Sequence, residues 1–198
     1  EKSAGLEPPT PFFCRLPIVF YGSSITQGGC ASRPGNAYTQ ILSRWLNTGI
    51  VNLGFSGNAK GEPEMAELIS TVKMSIFVMD YDHNAPDVKW LNDTHEPFFK
   101  IIRARNPDLP VIFITKPDFD NDVKMNKRRR EVIYKTYKNA LDLGDRNVYF
   151  IDGQKLFGKK DRDACTVDSC HPNDLGFMRM ANRIYPILKN VLIQSQNE

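Results

Sequence analysis

Residues 17–29 read PIVFYGSSITQGG, an unbroken apolar run that ends in a turn rich in glycine and serine. A short apolar run with β-branched and aromatic residues, bounded by glycine, is typical of a strand buried on both faces. Such strands belong to parallel sheets that are covered by helices on both sides. The segment therefore predicts the first strand of an α/β fold, with Ser23 and Ser24 presented just beyond its carboxyl end.

The same pattern recurs along the chain, where short apolar runs alternate with helical patterns. Further strands are predicted at residues 50–53, 75–81, 111–115 and 148–152. Helices are predicted, with Asn36 as the cap of the first one, at residues 38–46, 63–73, 87–105, 122–143 and 175–193. This alternation predicts a parallel sheet of about five strands between two helical layers, a three-layer α/β/α sandwich.

Length and composition fit one globular domain. The chain has 198 residues, of which 41% are hydrophobic and 25% charged, and its net charge is +3. That balance gives no electrostatic reason to expect nucleic acid as a partner. No apolar run approaches the roughly 20 residues of a transmembrane helix. The proline-rich residues 1–15 contain no signal peptide and are interpreted as a linker or boundary segment, and residues 16–198 as the domain.

Four polar segments follow predicted strands, which is where α/β sheets carry their chemistry. They are residues 22–29, 54–58, 82–85 and 168–172. In the last of them, the carboxylate of Asp168 can meet the imidazole of His171 and leave the second ring nitrogen free as a base. Taken alone, the pair is explained more economically by a turn-capping aspartate and a packed histidine.

The other segments supply a nucleophile and hydrogen-bond donors. Ser24 lies in a turn at the rim of the sheet, where a nearby base could activate it, and the turn lacks the spacing of a dinucleotide or P-loop motif. The backbone N–H of Gly57 and the side chain of Asn84 could both face the oxyanion of an acyl-transfer intermediate. A turn glycine and an Asx turn before Pro86 are the simpler alternatives.

In this order, each at the end of a strand, the four segments resemble the SGNH hydrolases, also called the GDSL esterase/lipase family. Ser24, Gly57, Asn84 and His171 match the four residues that name that family, and Asp168 matches its Asp-x-x-His partner. The matching segments run from residue 21 to residue 177. The resemblance implies a flavodoxin-like three-layer fold and ester hydrolysis without a cofactor or metal.

The resemblance also implies a role for each matching residue. Ser24 would be the nucleophile, His171 the base and Asp168 the residue that orients it. The oxyanion hole would consist of the N–H groups of Ser24 and Gly57 and the side chain of Asn84.

The sequence departs from the family pattern in three places. Ser23 stands where an aspartate usually precedes the nucleophile, which makes it a rival to Ser24. The third block reads Asp82-His83-Asn84-Ala85 rather than Gly-x-Asn-Asp, which makes Asn84 the least certain match. The pair Ser169-Cys170 inside the base loop has no counterpart in the family pattern.

The first two blocks look like those of a bacterial subgroup whose members often carry a β-sandwich domain before the hydrolase. This implies a small-molecule ester as substrate, with O-acetyl groups on carbohydrate as the expectation. Two alternatives stay open: an acyltransferase with the same triad, and a non-catalytic carbohydrate-binding module on a degenerate hydrolase fold. The sequence leaves the oligomeric state and the compartment open, with a periplasmic or secreted location as the expectation.

Other polar features receive simpler interpretations. His83 is expected to be a loop histidine that faces solvent or bonds locally, and His95 a surface residue of a helix. The basic run at residues 127–130 is expected to be a solvated helix face.

Metal and disulfide chemistry at the proposed site is disfavoured or left open. Asp82, His83, Asp168 and His171 show no known metal-ligand spacing, so metal catalysis is not expected. Cys165 and Cys170 bracket Asp168 and are expected either to form a short disulfide loop or to remain free thiols, with Cys30 as another pairing partner.

Overall fold

The computed structural model describes residue 5 and residues 7–117 and 120–195, which form a three-layer α/β/α sandwich. The middle layer is a parallel sheet in the order β2-β1-β3-β4-β5. Its strands are β1 (Cys14–Gly22), β2 (Thr48–Gly54), β3 (Ile76–Asp80), β4 (Val111–Ile114) and β5 (Val148–Ile151). The helices of the described residues are α1 (Ser24–Gln27), α2 (Tyr38–Leu46), α3 (Pro63–Ser70), α4 (Val88–Arg105), α5 (Val123–Asp142) and α6 (Asp174–Gln194).

Both faces of the sheet are buried. Successive side chains of each strand point to opposite sides, so each strand contributes to the core on both faces. In β1, Ile18 and Phe20 pack with α2 and α6 on one face. Val19 and Tyr21 pack with α3, α4 and α5 on the other. All four side chains are fully buried, which explains why the strand reads as a continuous apolar run. The predicted fold class is confirmed.

The predicted boundaries of the strands and long helices differ from the observed ones by three residues at most. The four-residue helix α1 was not predicted, since one helical turn is too short to show an apolar period. The prediction that Asn36 caps α2 is wrong. Ala37 occupies that position without a side-chain hydrogen bond, and the Asn36 amide binds a carboxylate of α6 instead.

The register of the sheet brings three strand ends together. Gly22 at the end of β1 pairs with Gly54 of β2 and with Asp80 of β3. The loops that follow these strands therefore leave the same edge of the sheet side by side. No helix of the described residues combines the length and hydropathy needed to cross a bilayer.

Candidate active site

The turn after β1 gives its two serines different partners. Ser23 is buried and caps α1, because its Oγ accepts the backbone N–H of Ile25 at 3.1 Å. A side chain at Gly22 would place its Cβ 2.1 Å from Thr26 Oγ1, so glycine is required for α1 to start so close to the strand. Ser24 is the first residue of the helix, and its Oγ faces away from the cap.

Ser24, His171 and Asp168 form one hydrogen-bonded chain, although Ser24 is 147 residues away from His171 in the sequence. Ser24 Oγ lies 2.9 Å from His171 Nε2, and His171 Nδ1 lies 2.7 Å from Asp168 Oδ2. A carboxylate at Nδ1 favours the tautomer with the proton on that nitrogen. Nε2 then carries the lone pair that can accept the serine proton.

The charge of Asp168 is stabilised by donors from its own turn. The backbone N–H of His171 donates to Asp168 Oδ1 at 2.6 Å, and that of Cys170 at 3.0 Å. Together with the His171 ring, these hydrogen bonds lower the pKa of the Asp168 carboxyl to about 2. The carboxylate is half exposed, with 50% of its side-chain surface accessible, and it remains ionised at any pH near neutrality.

A tight turn holds this pair at the start of α6. The N–H of Val167 donates to the carbonyl of His171 at 3.0 Å, and Thr166 forms a bridge with Pro172. Ser169 adopts a left-handed conformation with φ of 64°, which lets the chain double back between the aspartate and the histidine. The geometry of the pair is therefore fixed by backbone hydrogen bonds on both sides.

A single carboxylate fastens the loop after the serine to the helix after the histidine. Asp174, in the first turn of α6, accepts the N–H of Ser32 at 2.9 Å and its hydroxyl at 2.5 Å. It also accepts the Asn36 amide at 2.9 Å. The loop after Ser24 and the start of α6 after His171 are thus tied together.

The structure brings the segments of Gly57 and Asn84 to the same edge. The N–H of Phe55 donates to the carbonyl of Gly22 at 2.8 Å, which anchors the Gly57 loop to the serine turn. Asn84 Nδ2 donates to the carbonyl of Phe55 at 2.8 Å, so one of its two amide hydrogens is used within the loop. Gly57 is exposed, with φ of +69° and no atom close to the position of a Cβ.

The turn that carries Asn84 is clamped by a buried arginine of α5. Arg129 Nε lies 2.8 Å from Asp82 Oδ1, and only 6% and 1% of the two side chains are exposed. Its Nη2 donates to the carbonyl oxygens of Asp82 and Ala85, which flank the turn. The second oxygen of Asp82 accepts the N–H of Lys116 at 2.9 Å. These contacts hold the Asp82–Asn84 turn in position. The turn lacks the glycine and the aspartate that flank the asparagine in the usual family block.

A buried carboxyl lies below the serine helix. Asp80 Oδ2 accepts the hydroxyls of Thr26 at 2.8 Å and of Tyr38 at 2.6 Å. Burial raises the pKa of Asp80 to about 7, although the two hydroxyl donors act in the opposite direction. The group links α1, α2 and β3 directly beneath Ser24.

His83 points towards the base turn rather than only towards solvent. Its Nε2 lies 2.9 Å from Cys170 Sγ, and its ring centroid is 6.3 Å from that of His171. His83 was expected to face solvent or to form a local hydrogen bond, but its partner lies in another loop, 87 residues away in the sequence. Cys165 and Cys170 are free thiols, as is Cys30.

Two expectations for polar residues of the helices are wrong. His95 is buried rather than exposed, stacks on Tyr81, and has its pKa lowered to about 3 by burial. Arg129 belongs to the run expected to be solvated, yet it is buried. The helical spacing of the apolar residues indicates this burial in both helices. In α5, for example, Arg129 lies three and four residues from the buried positions Asn126 and Ile133.

Comparisons with known proteins agree with this fold. A model of the GDSL-like Lipase/Acylhydrolase family matches residues 15–189. A search of curated proteins gives no match. Among solved structures, a Bacteroides ovatus protein classed as a GDSL-like lipase is 36% identical with a TM-score of 0.83, covering 93% of this chain and 55% of the other.

Two more distant structures share the fold. The salicylyl-acyltransferase SsfX3 of a tetracycline biosynthetic pathway is 20% identical with a TM-score of 0.77, covering 90% of this chain and 56% of the other. A family two carbohydrate esterase from Clostridium thermocellum is 20% identical with a TM-score of 0.72, covering 94% and 67%. The chain thus spans slightly more than half of the length of the first two structures.

Proposed function

Since the chain belongs to the GDSL-like lipase/acylhydrolase family, we propose that it hydrolyses carboxylic esters through an acyl-enzyme on Ser24. The observation that carries the proposal is the pair of hydrogen bonds of His171, 2.9 Å to Ser24 Oγ and 2.7 Å to Asp168. A nucleophile, a base and an orienting carboxylate in this sequence are what acyl transfer requires.

In the first half-reaction, His171 Nε2 takes the hydroxyl proton while Ser24 Oγ attacks the ester carbonyl carbon. The carbonyl oxygen becomes an oxyanion, and Asp168 stabilises the imidazolium. When the intermediate collapses, the bond to the alcohol breaks and His171 returns the proton to the departing oxygen. In the second half-reaction, water attacks the acyl-enzyme by the same proton transfers, which releases the acid and restores Ser24.

The oxyanion is assigned to donors from three loops. Ser24 begins α1, so its backbone N–H has no acceptor within the helix. Gly57 offers a backbone N–H without a side chain in the way, and Asn84 keeps a second amide hydrogen beyond the one given to Phe55. Donors held in place before reaction stabilise the developing charge without reorganisation.

The choice between the two adjacent serines is tested by a matched pair of variants. We expect Ser24→Ala to lower kcat towards p-nitrophenyl acetate by roughly three orders of magnitude or more. Ser23→Ala removes only the helix cap, so it is expected to cost about 1 kcal/mol of stability and to keep most of the activity. Labelling by a fluorophosphonate follows the same order. A fully active, labelled Ser24→Ala protein would overturn the proposal.

For the substrate, we propose small acyl groups, O-acetyl in particular, on carbohydrate. The large apolar side chains Phe12 and Phe13, 60% and 51% exposed, lie next to the start of β1, at the end of the sheet opposite Ser24. Next to the site, Phe55 is 40% exposed and its carbonyl binds Asn84. An exposed aromatic ring beside the site offers a flat apolar face on which a sugar can stack.

Substrate choice is tested by comparing acetylated saccharides with p-nitrophenyl esters of increasing acyl length. We expect acetate release from the saccharides and a fall in kcat/KM beyond butyrate. Phe55→Ala should raise KM for the acetylated saccharide and leave p-nitrophenyl acetate nearly unchanged. A preference for long chains would reject the carbohydrate substrate. Transfer of the acyl group to an added alcohol in place of water would identify an acyltransferase.

A further inference from the structure

A group of metal-ligating side chains surrounds the base of the proposed triad. One ligand atom each from Asp168, Cys170 and His171 lies within 4.8 Å of the others. His83 adds a fourth donor from another loop, with its Nε2 at 2.9 Å from Cys170 Sγ. We propose that these four residues, here called the thiol cluster, bind a soft divalent cation such as Zn²⁺, and that the bound ion switches the esterase off.

The donor set fits zinc. Cysteine, histidine and aspartate are the side chains that bind Zn²⁺, at about 2.3 Å for sulfur and about 2.0–2.2 Å for nitrogen and oxygen. A tetrahedral ion at those lengths separates its sulfur and nitrogen ligands by about 3.6 Å. Cys170 and His83 must therefore move apart by less than 1 Å, and the ligand atoms of Asp168, Cys170 and His171, which lie up to 4.8 Å apart, must approach by about 1 Å.

The cluster is suited to such small movements. Asp168, Cys170 and His171 share one short turn, so a chelating ion has little chain to order. Asp168 is exposed, and Cys170 and His171 are half-buried, so a hydrated cation can reach all three. On binding, the Cys170 thiol loses its proton to solvent and the thiolate sulfur bonds to the ion.

The ion would stop catalysis through either nitrogen of His171, an inference that rests on the proposed role of this residue as the base. If the ion binds Nε2, it occupies the lone pair that must accept the Ser24 proton. If it binds Nδ1, the remaining ring proton has to sit on Nε2, which again leaves that nitrogen without a lone pair. Ligation also draws Asp168 away from the ring.

Ligand softness predicts which ions act. A thiolate and imidazoles favour Zn²⁺, whereas Mg²⁺ and Ca²⁺ prefer sites made of oxygen ligands alone. We therefore expect Zn²⁺ to inhibit and Mg²⁺ or Ca²⁺ to have no effect at the same concentration. Inhibition is expected to be reversed by a chelator, which separates it from covalent damage to the thiol.

The kinetic experiment compares Cys170→Ser with Cys30→Ser. Both remove a half-buried thiol outside the triad, and only Cys170 lies in the cluster. Cys170→Ser is expected to keep the activity measured without metal and to raise the half-inhibiting Zn²⁺ concentration by about tenfold or more. Cys30→Ser should be inhibited like the wild type. Equal inhibition of all three proteins would overturn the proposal.

A binding measurement separates the failure of this inference from that of the proposed function. Co²⁺ is added to Ser24→Ala and to Ser24→Ala/Cys170→Ser, and the thiolate-to-cobalt charge-transfer band is recorded, which needs no activity. The band is expected in the first protein and not in the second, even if no ester is ever hydrolysed. No band in Ser24→Ala, or a band without inhibition of an active wild type, would refute the switch.

Discussion

Each end of the sheet carries an arginine–aspartate pair, fully buried at the carboxyl end and partly exposed at the amino end, and the two pairs hold different loops. At the carboxyl end, Arg129 and Asp82 clamp the turn of Asn84. At the amino end, Arg103 lies 2.8 Å from Asp145 and donates to the carbonyls around Asn106 and Leu109, beside a cavity of about 930 Å³. An arginine–aspartate pair or a large cavity is therefore not enough to identify the active site. The site is identified by the side chains that the clamped loop carries.

The largest difference between the two ends is expected from their aspartates. Asp168→Asn should lower kcat by roughly 10²–10⁴-fold, because an amide no longer favours the right tautomer or stabilises the imidazolium. Asp145→Asn at the amino end should change kcat less than about threefold, since the Asp145 carboxylate contacts Arg103 and the backbone N–H of Asn147, at the end of the sheet opposite the triad. Steady-state kinetics on the two folded variants measures this. A comparable loss in both would erase the distinction between the ends.

A finer comparison replaces each arginine by lysine. Lysine keeps the charge but not the fork that reaches a carboxylate and two carbonyls at once. Arg129→Lys is expected to lower kcat by about 10–100-fold with KM little changed, because a misplaced Asn84 weakens oxyanion stabilisation. Both variants are expected to lower the thermal midpoint by a similar amount, but Arg103→Lys should leave kcat unchanged. If both variants lose only stability, Arg129 does not position the site.

The carboxyl end also differs in the pH dependence of its buried acid. Asp80 has a pKa of about 7 when folded against about 4 when unfolded, so its protonated form stabilises the fold. That stabilisation is complete below pH 4 and is lost as pH rises towards 7. Asp80→Asn should flatten this part of the stability curve, whereas Asp145→Asn should keep it. Denaturant unfolding at a series of pH values tests the difference.

His95 is expected to give a slope of the opposite sign. Its pKa of about 3 in the folded protein lies below the unfolded value of about 6.5, so the neutral ring stabilises the fold. That contribution is complete above pH 6.5 and is lost as pH falls towards 3. His95→Gln should therefore lose less stability than the wild type between pH 6 and pH 4. An unchanged acid limb would show that the ring is not kept neutral by burial.

The sheet could be predicted because both of its faces are buried. Strands such as β1 and β3 read as uninterrupted apolar runs, and the polar segments after them mark one edge. Ser24, His171 and Asp168 lie in those segments and were assigned through the family that the segments resemble, and the structure places Ser24 and Asp168 within hydrogen-bond distance of His171. Their catalytic roles, with those of Gly57 and Asn84, stay predictions.

The pairing of Arg129 with Asp82 could not be predicted, because the two residues are 47 positions apart and the helical pattern around Arg129 does not identify its partner. Arg129 is buried only because the Asp82 turn offers it a carboxylate and two carbonyls. The contact between His83 and Cys170 has the same character, since two loops 87 residues apart meet at the edge of the sheet. Local patterns predict elements, and pairings of polar residues across loops need the assembled fold.

The hydrogen bonds of Asp174 make the proposed site sensitive to mutations that lie outside the triad. Its contacts to Ser32 and Asn36 join the two stretches of chain that carry Ser24 and His171. A change at this surface carboxylate would let those stretches drift apart without altering any reacting atom. Mutations at the surface could therefore inactivate the protein, and a search for inactive variants should include Asp174, Ser32 and Asn36 as well as the triad.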